Sequence, residues 1–197
     1  FITGIPSLQV PSIDPLESER IDIDSGKSAV QLVQKYKNVK IYGLATSKIK
    51  NIHFDVAAKV LTFTVYIPKL QQIAHYECKG KILLLPIYGS GNSSIVLERV
   101  TMATKINFKE ERINGNVHFK IKSYKILLSL EDVHIHLENL FNGDTLLGDN
   151  MNKVLDEHGL DLFNDVKNHV EDSYGQLCKK VAMSLFDNIP VKELLLE

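Results

Sequence analysis

The segment Val117-His118-Phe119-Lys120-Ile121-Lys122-Ser123-Tyr124-Lys125-Ile126-Leu127-Leu128-Ser129-Leu130 alternates apolar and polar residues and then changes phase. Val117, Phe119 and Ile121 fall on one face of an extended chain, and His118, Lys120 and Lys122 on the other. Past Ser123 the apolar positions become Tyr124, Ile126 and Leu128. Side chains of a strand alternate between two faces, so one extra residue has to be absorbed near Ser123-Tyr124. A β-bulge does this and bends the strand. Fourteen residues of strand reach roughly 45 Å. A strand that long, wet on one face and bent, is expected to curl around something.

The same period of two runs from about residue 36 to 138. Ile52, Phe54 and Val56 alternate with polar neighbours, as do Leu61, Phe63, Val65 and Ile67, and Val133, Ile135 and Leu137. Ile95 to Phe108 is a second long strand. One-sided alternation marks antiparallel sheet. Ala57-Ala58-Lys59, Gly89-Ser90-Gly91-Asn92 and Asn114-Gly115-Asn116 are predicted turns, the last a strong hairpin signal. Ahead of the sheet, Gly4-Ile5-Pro6 to Pro11 and Asp14-Pro15-Leu16 read as extended chain on a surface. Ser25 to Tyr36 is open between strand and helix, since Ala29, Leu32 and Val33 recur at helical spacing.

Toward the C-terminus the period changes. Asp144 is a predicted N-cap for a helix ending near His158-Gly159. From Leu160 to about Asn188 the residues Leu160, Phe163, Val166, Val170, Tyr174, Leu177, Val181 and Leu185 step by three or four, with Cys178, Ala182 and Phe186 broadening the stripe. Gly175 inside it costs about 1 kcal/mol against Ala, and Pro190 lies past its end. The helix is roughly 40 Å long and covers a face about 10 Å wide. A sheet of six or more strands presents roughly 25–30 Å. Closing that gap requires the sheet to curl around the helix, and the enclosed space is either filled by side chains or open to an apolar guest. The expected fold class is therefore α+β: a long, highly curved antiparallel sheet wrapped around one C-terminal helix, as one domain over residues 1–197.

Composition narrows the function. Lys plus Arg number 23 against 24 Asp plus Glu, so no basic excess points to nucleic acid. No run of 18 apolar residues predicts a spanning helix. Cys78 and Cys178 are too few for a thiolate zinc site. Bridged, they would close a loop of about 100 residues and stabilise by at most about 4.7 kcal/mol; two buried free thiols are the alternative. Neither reading settles the compartment. His134 and His136 share a strand face without a local third metal ligand. Asp156-Glu157-His158 lacks the spacing of a zinc protease, and Gly89-Ser90-Gly91 is not a nucleophile elbow. Asp22-Ile23-Asp24-Ser25-Gly26 has its glycine one position early for a calcium loop. No nucleophile–base or paired-carboxylate constellation emerges, so no enzyme, cofactor or metal is expected.

Several ordered motifs resemble one family. Gly4-Ile5-Pro6-Ser7-Leu8 and Ile13-Asp14-Pro15-Leu16 resemble the opening of the takeout and juvenile-hormone-binding family of insects. Val39 to Leu44, Tyr76 with Gly80 to Gly91, Leu137 to Asp144, Gly148 to Glu157 and Phe186 to Pro190 resemble its later motifs, closer to the takeout branch. The resemblance implies a secreted protein with an elongated hydrophobic tunnel, lipid-like ligands such as terpenoids or fatty-acid derivatives, and no catalysis; a monomer is expected. It also implies an N-terminal helix with a cysteine pair ahead of Gly4, a segment expected to be missing before residue 1. Cys178 matches the helix member of a second cysteine pair in the hormone-binding branch, whereas Cys78 does not match its partner.

The candidate tunnel lining follows from both arguments: Phe54, Leu61, Phe63 and Val65; Phe119, Tyr124 and Ile126; Val133 and Ile135; and Phe163, Val166, Val170, Tyr174, Leu177 and Val181 on the helix. Tyr124, Tyr174 and Tyr66 are the hydroxyls available to a polar ligand head. Asn92-Ser93-Ser94 is an N-glycosylation sequon, with Asn92 the candidate acceptor. The partner expected is a small hydrophobic ligand, with no nucleic acid and no membrane insertion. The competing expectation is an extracellular signalling or structural partner with a core filled by its own side chains.

Overall fold

A computed structural model describes residues 3–25, 30–82 and 85–194. Seven antiparallel strands form one sheet: β1 (Leu16–Ser25), β2 (Val30–Tyr42), β3 (Lys48–Asp55), β4 (Val60–Ile82), β5 (Leu85–Ile113), β6 (Asn116–Ser129) and β7 (Asp132–Leu137). Two helices follow, α1 (Thr145–Glu157) and α2 (Gly159–Phe186), then the single turn α3 (Val191–Leu194). The stretch open between helix and strand is β2 from Val30 onward; Ala29 and the glycine of the supposed calcium loop, Gly26, lie outside the described residues, as do Leu83 and Leu84. Asp22 is in β1, paired with Arg20 at 2.8 Å.

The backbone of the sheet is one very long hairpin. β4 has 23 residues and β5 has 29, in register from Val60↔Asn107 to Ile82↔Leu85. Shorter strands flank its two halves. β2 pairs with residues 71–82 of β4 and β3 with residues 60–66. β7 pairs with residues 93–98 of β5 and β6 with residues 101–113. Gly89-Ser90-Gly91-Asn92 is therefore not a turn but part of β5. The glycines are there because another chain segment passes close: a Cβ on Gly91 would sit 2.6 Å from the Glu138 carbonyl oxygen. Asn92 of the sequon accordingly lies exposed on a strand and not in a turn, and its amide donates to Glu138 Oε2 at 2.9 Å.

At the middle of the hairpin the inward face changes on both strands at one level. Inward residues run Val65, Ile67 and then Leu70 on β4, and Leu97 and then Val100 on β5. Between them stand Pro68, which has no N–H to offer a ladder, and Arg99 with φ 51°. Similar slips occur beside Asn38 in β2 and Asn51 in β3, both with φ 52°. Asparagine tolerates this left-handed conformation better than most residues. The bulge expected near Ser123 is present: Asn107 pairs with Ser123 and Phe108 with Ile121, leaving Lys122 over. Each slip coils the sheet. The slip at Asn51 also corrects the reading of β3, where Ile52 is exposed while Phe54 stays half-buried; Val56, in the turn that follows, is exposed as well.

Asp144 caps α1, accepting from the Leu147 N–H at 3.0 Å. The helices then cover the strand edges, which would otherwise present unpaired backbone groups. Asn152 of α1 pairs with both N–H and C=O of Leu137 on β7, each at 2.9 Å. On α2, the Glu171 carboxylate accepts from the Leu128 N–H of β6 at 2.7 Å, and the Ser173 hydroxyl donates to the Asp22 carbonyl of β1 at 3.5 Å. One helix thus touches both outermost strands and closes the curled sheet. Cys78 and Cys178 are free thiols, both pushed up to about 11, chiefly by burial. No described helix is long and apolar enough to cross a membrane.

Candidate ligand cavity

Between α2 and the half of the sheet built from β1, β2, β7 and the adjoining parts of β4 and β5 lies a cavity of about 80 Å³. Fourteen of its eighteen lining residues are apolar, and none is charged. The sheet supplies them through alternation. Leu32 comes from β2, Ile87, Ile95 and Leu97 from β5, and Val133, Ile135 and Leu137 from β7. The helix supplies Leu162, Phe163, Val166, Val170 and Tyr174, spaced by the helical repeat onto one side. Leu155 closes the α1 end.

The four polar members are Gln34 and Tyr36 of β2, Gln72 of β4, and Tyr174 of α2. The Tyr36 hydroxyl donates to Gln34 Oε1, and the Tyr174 hydroxyl donates to Gln72 Oε1 at 2.9 Å. Gln72 is only 4 % exposed. Burial raises both phenols well above the tyrosine range, with the Cys178 thiol a further contribution at Tyr174. Both hydroxyls are therefore protonated donors at neutral pH.

The predicted lining divides among several places. Val133, Ile135, Phe163, Val166, Val170 and Tyr174 line the cavity. Phe63, Tyr124 and Ile126 line an open crevice of about 760 Å³ on the opposite flank of α2, beside Glu171 and Gly175. Thr104, itself buried, lines the same crevice. Phe54, Leu61 and Phe119 belong to a separate cluster with Ile106, Phe108 and Phe186. Its rings meet edge to face or tilted, with centroids 4.7–6.1 Å apart. Val65 and Leu177 are core; Leu177 and Val181 also border a shallow groove beside β1. Tyr66 stands under the Lys50 ammonium, 5.3 Å from its ring centre.

Gln34, Tyr36 and Gln72 are cavity residues that the alternation argument does not select. The signal for the first two is that they share one strand face with Leu32. His134 and His136 do not form a metal site among the described residues. His134 Nδ1 instead lies 2.9 Å from Asp156 Oδ1, tying β7 to α1.

Comparison with known proteins agrees with this architecture. The family model for haemolymph juvenile hormone binding protein matches residues 1–196. The circadian clock-controlled protein daywake of Drosophila yakuba is 29 % identical over 201 residues, covering 98 % of this chain and 77 % of that protein, and daywake of Drosophila melanogaster gives the same figures. The crystal structure of Epiphyas postvittana Takeout 1 superposes with a TM-score of 0.87 at 24 % identity, covering 98 % of this chain and 88 % of that one; it shares the fold. The chain belongs to the haemolymph juvenile hormone binding protein family.

Proposed function

We propose that this protein is a secreted carrier that holds a small hydrophobic ligand, such as a terpenoid or a fatty-acid derivative, between α2 and the curled sheet. The observation that carries the reading is an uncharged cavity with apolar walls and four polar residues in its lining, the usual composition of a small-molecule site. Membership of a family described as binding juvenile hormone supports the ligand class.

Size sets a condition. Pockets that bury whole ligands run from about 300 to 1,000 Å³, and this cavity holds about 80 Å³. Loading then requires α2 to shift, opening an elongated tunnel. The far flank of the helix has room for this. Gly175 faces the crevice, and even a Cβ there would have Ile126 Cγ1 as its nearest neighbour, at 3.7 Å. A ligand burying about 400 Å² gains roughly 10 kcal/mol gross, and association costs of several kcal/mol leave micromolar affinity or better.

The same small volume favours a second reading, an extracellular partner protein whose core is filled by its own side chains. Native mass spectrometry of the purified protein, with displacement of a fluorescent fatty-acid probe, separates the two. The carrier reading expects a lipid-mass adduct or saturable displacement. Neither adduct nor displacement leaves the partner reading standing.

A further inference from the structure

Cations gather on the outer face of the sheet at the end where β4 gives way to β5. Register sets the side chains out in rows, since cross-strand partners share a face. Lys81 and Lys79 of β4 stand opposite Pro86 and Tyr88 of β5, and Lys79 also stands opposite Val33 of β2. In the next rows Lys35 of β2 faces Glu77 of β4, and Lys37 faces His75. An open hollow of about 360 Å³ brings Lys35, Lys37, Lys79, Glu77 and Tyr88 together with Asn142. Three lysines thus share it with one carboxylate. On β1 the same rows carry Asp22 and Asp24, the first held by Arg20 at 2.8 Å. Among the described residues Lys35, Lys37, Lys79 and Lys81 make no ion pair. The whole chain has a net charge of −1, so this excess of cations is local.

The same end leaves large apolar side chains in water. Val33, Leu85, Tyr88, Leu146 and Leu147 are all exposed, Leu146 by 72 %. The start of α1 is fixed here because Phe141, just ahead of it, sets its ring edge-on to Tyr88 with centroids 5.3 Å apart, and Leu140 bridges to Gly89. Exposed apolar groups gathered at one place mark a surface that something covers. The lysines decide what. The buried centre of a protein–protein interface is depleted in lysine. Here lysine stands among the apolar groups, Lys79 having Val33 on one side and Tyr88 on the other. A lipid surface accepts that mixture. Leucine and tyrosine settle among the headgroups, and ammonium groups on flexible stems reach the phosphates.

We propose that this end of the molecule docks on an anionic lipid membrane, resting in the headgroup layer without crossing it. A lipid phosphate enters the hollow between Lys35, Lys37 and Lys79, while Leu85, Tyr88, Leu146 and Leu147 settle beside it. Each lysine brought to an anionic surface strengthens binding about fivefold, and salt screens the attraction. The proposal stands without the carrier reading, and it gives that reading a place for exchange. Ile82 and Ile87, next in sequence to Lys81 and Tyr88, point to the other face of the sheet and line the cavity. A molecule docked this way holds its cavity one sheet thickness from the bilayer.

The test is sedimentation of the full chain with vesicles, one set of phosphatidylcholine alone and one with three parts in ten of phosphatidylserine. Binding to the anionic set is expected to be at least about tenfold stronger than to the neutral set, and to weaken as salt rises toward about 1 M. Lys79→Gln with Lys81→Gln should weaken it about tenfold or more, and Leu146→Ser with Leu147→Ser severalfold. Lys50→Gln with Ile52→Ser, on β3 at the opposite end of the hairpin, should leave it unchanged. All six side chains are exposed, and the comparison of the two vesicle sets with the unaltered chain stands even where a variant fails to fold. No sedimentation with anionic vesicles, which would leave the face to a protein partner, overturns the proposal. Equal binding to both sets overturns it too, as does an equal loss in the β3 variant.

Discussion

The two ends of the molecule share one sheet and one helix, yet they are packed on different principles. At the end formed by β1, β2 and β7, aliphatic side chains meet around a cavity with four polar groups on its wall. At the end formed by β3, β6 and the tail of α2, aromatic rings fill the interior: Phe108 touches Phe54, Phe119 and Phe186. Branched aliphatic chains of similar length leave gaps where a sheet flares away from a helix. Flat rings set edge to face close the same gap. Curvature alone therefore does not make a pocket; the choice of residue at each inward position decides which end stays open.

The largest effect that would test this contrast lies at the aromatic end. Phe119 is 2 % exposed, and Phe119→Ala should destabilise by about 3–5 kcal/mol in denaturant unfolding. A loss below about 1 kcal/mol would mean that this end is as loosely filled as the other. A smaller effect sharpens the comparison by adding volume at both ends. Ile106→Phe overpacks the ring cluster and should cost about 1–3 kcal/mol. Val166→Ile adds a methylene next to the cavity and should stay within about 1 kcal/mol of the parent, because space exists to receive it. Equal costs would show the two ends to be equally full.

Much of this is legible in the chain itself, and the reasons are specific. The helical stripe from Leu160, the Asn114-Gly115 turn, the Asp144 cap and the extra residue near Ser123 are local signals, each set by neighbours in sequence. The full lengths of β4 and β5 are not legible, because Gly89 and Gly91 imitate a turn when their true role is to admit a distant segment at Glu138 to Leu140. The phase slips at Asn38, Asn51 and Arg99 likewise have no local mark beyond residues that tolerate positive φ. Alternation alone misplaces Ile52 for this reason. Gln72 escapes a sequence reading because a glutamine on a strand ordinarily marks the wet face, and its partner Tyr174 is brought near only by the fold; Gln34 has its partner Tyr36 two residues along the same strand.

The smallest effect concerns how the cavity end is tied down. The hydrogen bond that His134 donates to the Asp156 carboxylate raises the His134 pKa above its ordinary value, with Asp132 and Glu98 adding charge attraction against slight burial. A pKa raised on folding contributes stability that is complete below the unfolded value and is lost as pH rises through the folded value. The pair is half exposed, so the contribution is about 0.5 kcal/mol or less. The native chain should unfold at slightly lower denaturant at pH 8 than at pH 6, relative to His134→Ala measured at the same two pH values. An equal shift in both would remove His134 as the source. No such dependence is expected of substitutions in the ring cluster.

The closure of the sheet by Glu171 and Ser173 bears on how the chain is made. During synthesis the strands that α2 will seal emerge first, and the sealing residues come last. At about 5–20 residues per second, the interval between the exit of β6 and that of Glu171 lasts several seconds. Through it the nascent protein carries two naked strand margins with an oily hollow between them. A chain ended before residue 171 would lack both sealing residues and keep those margins bare, the condition in which strand edges pair with other chains.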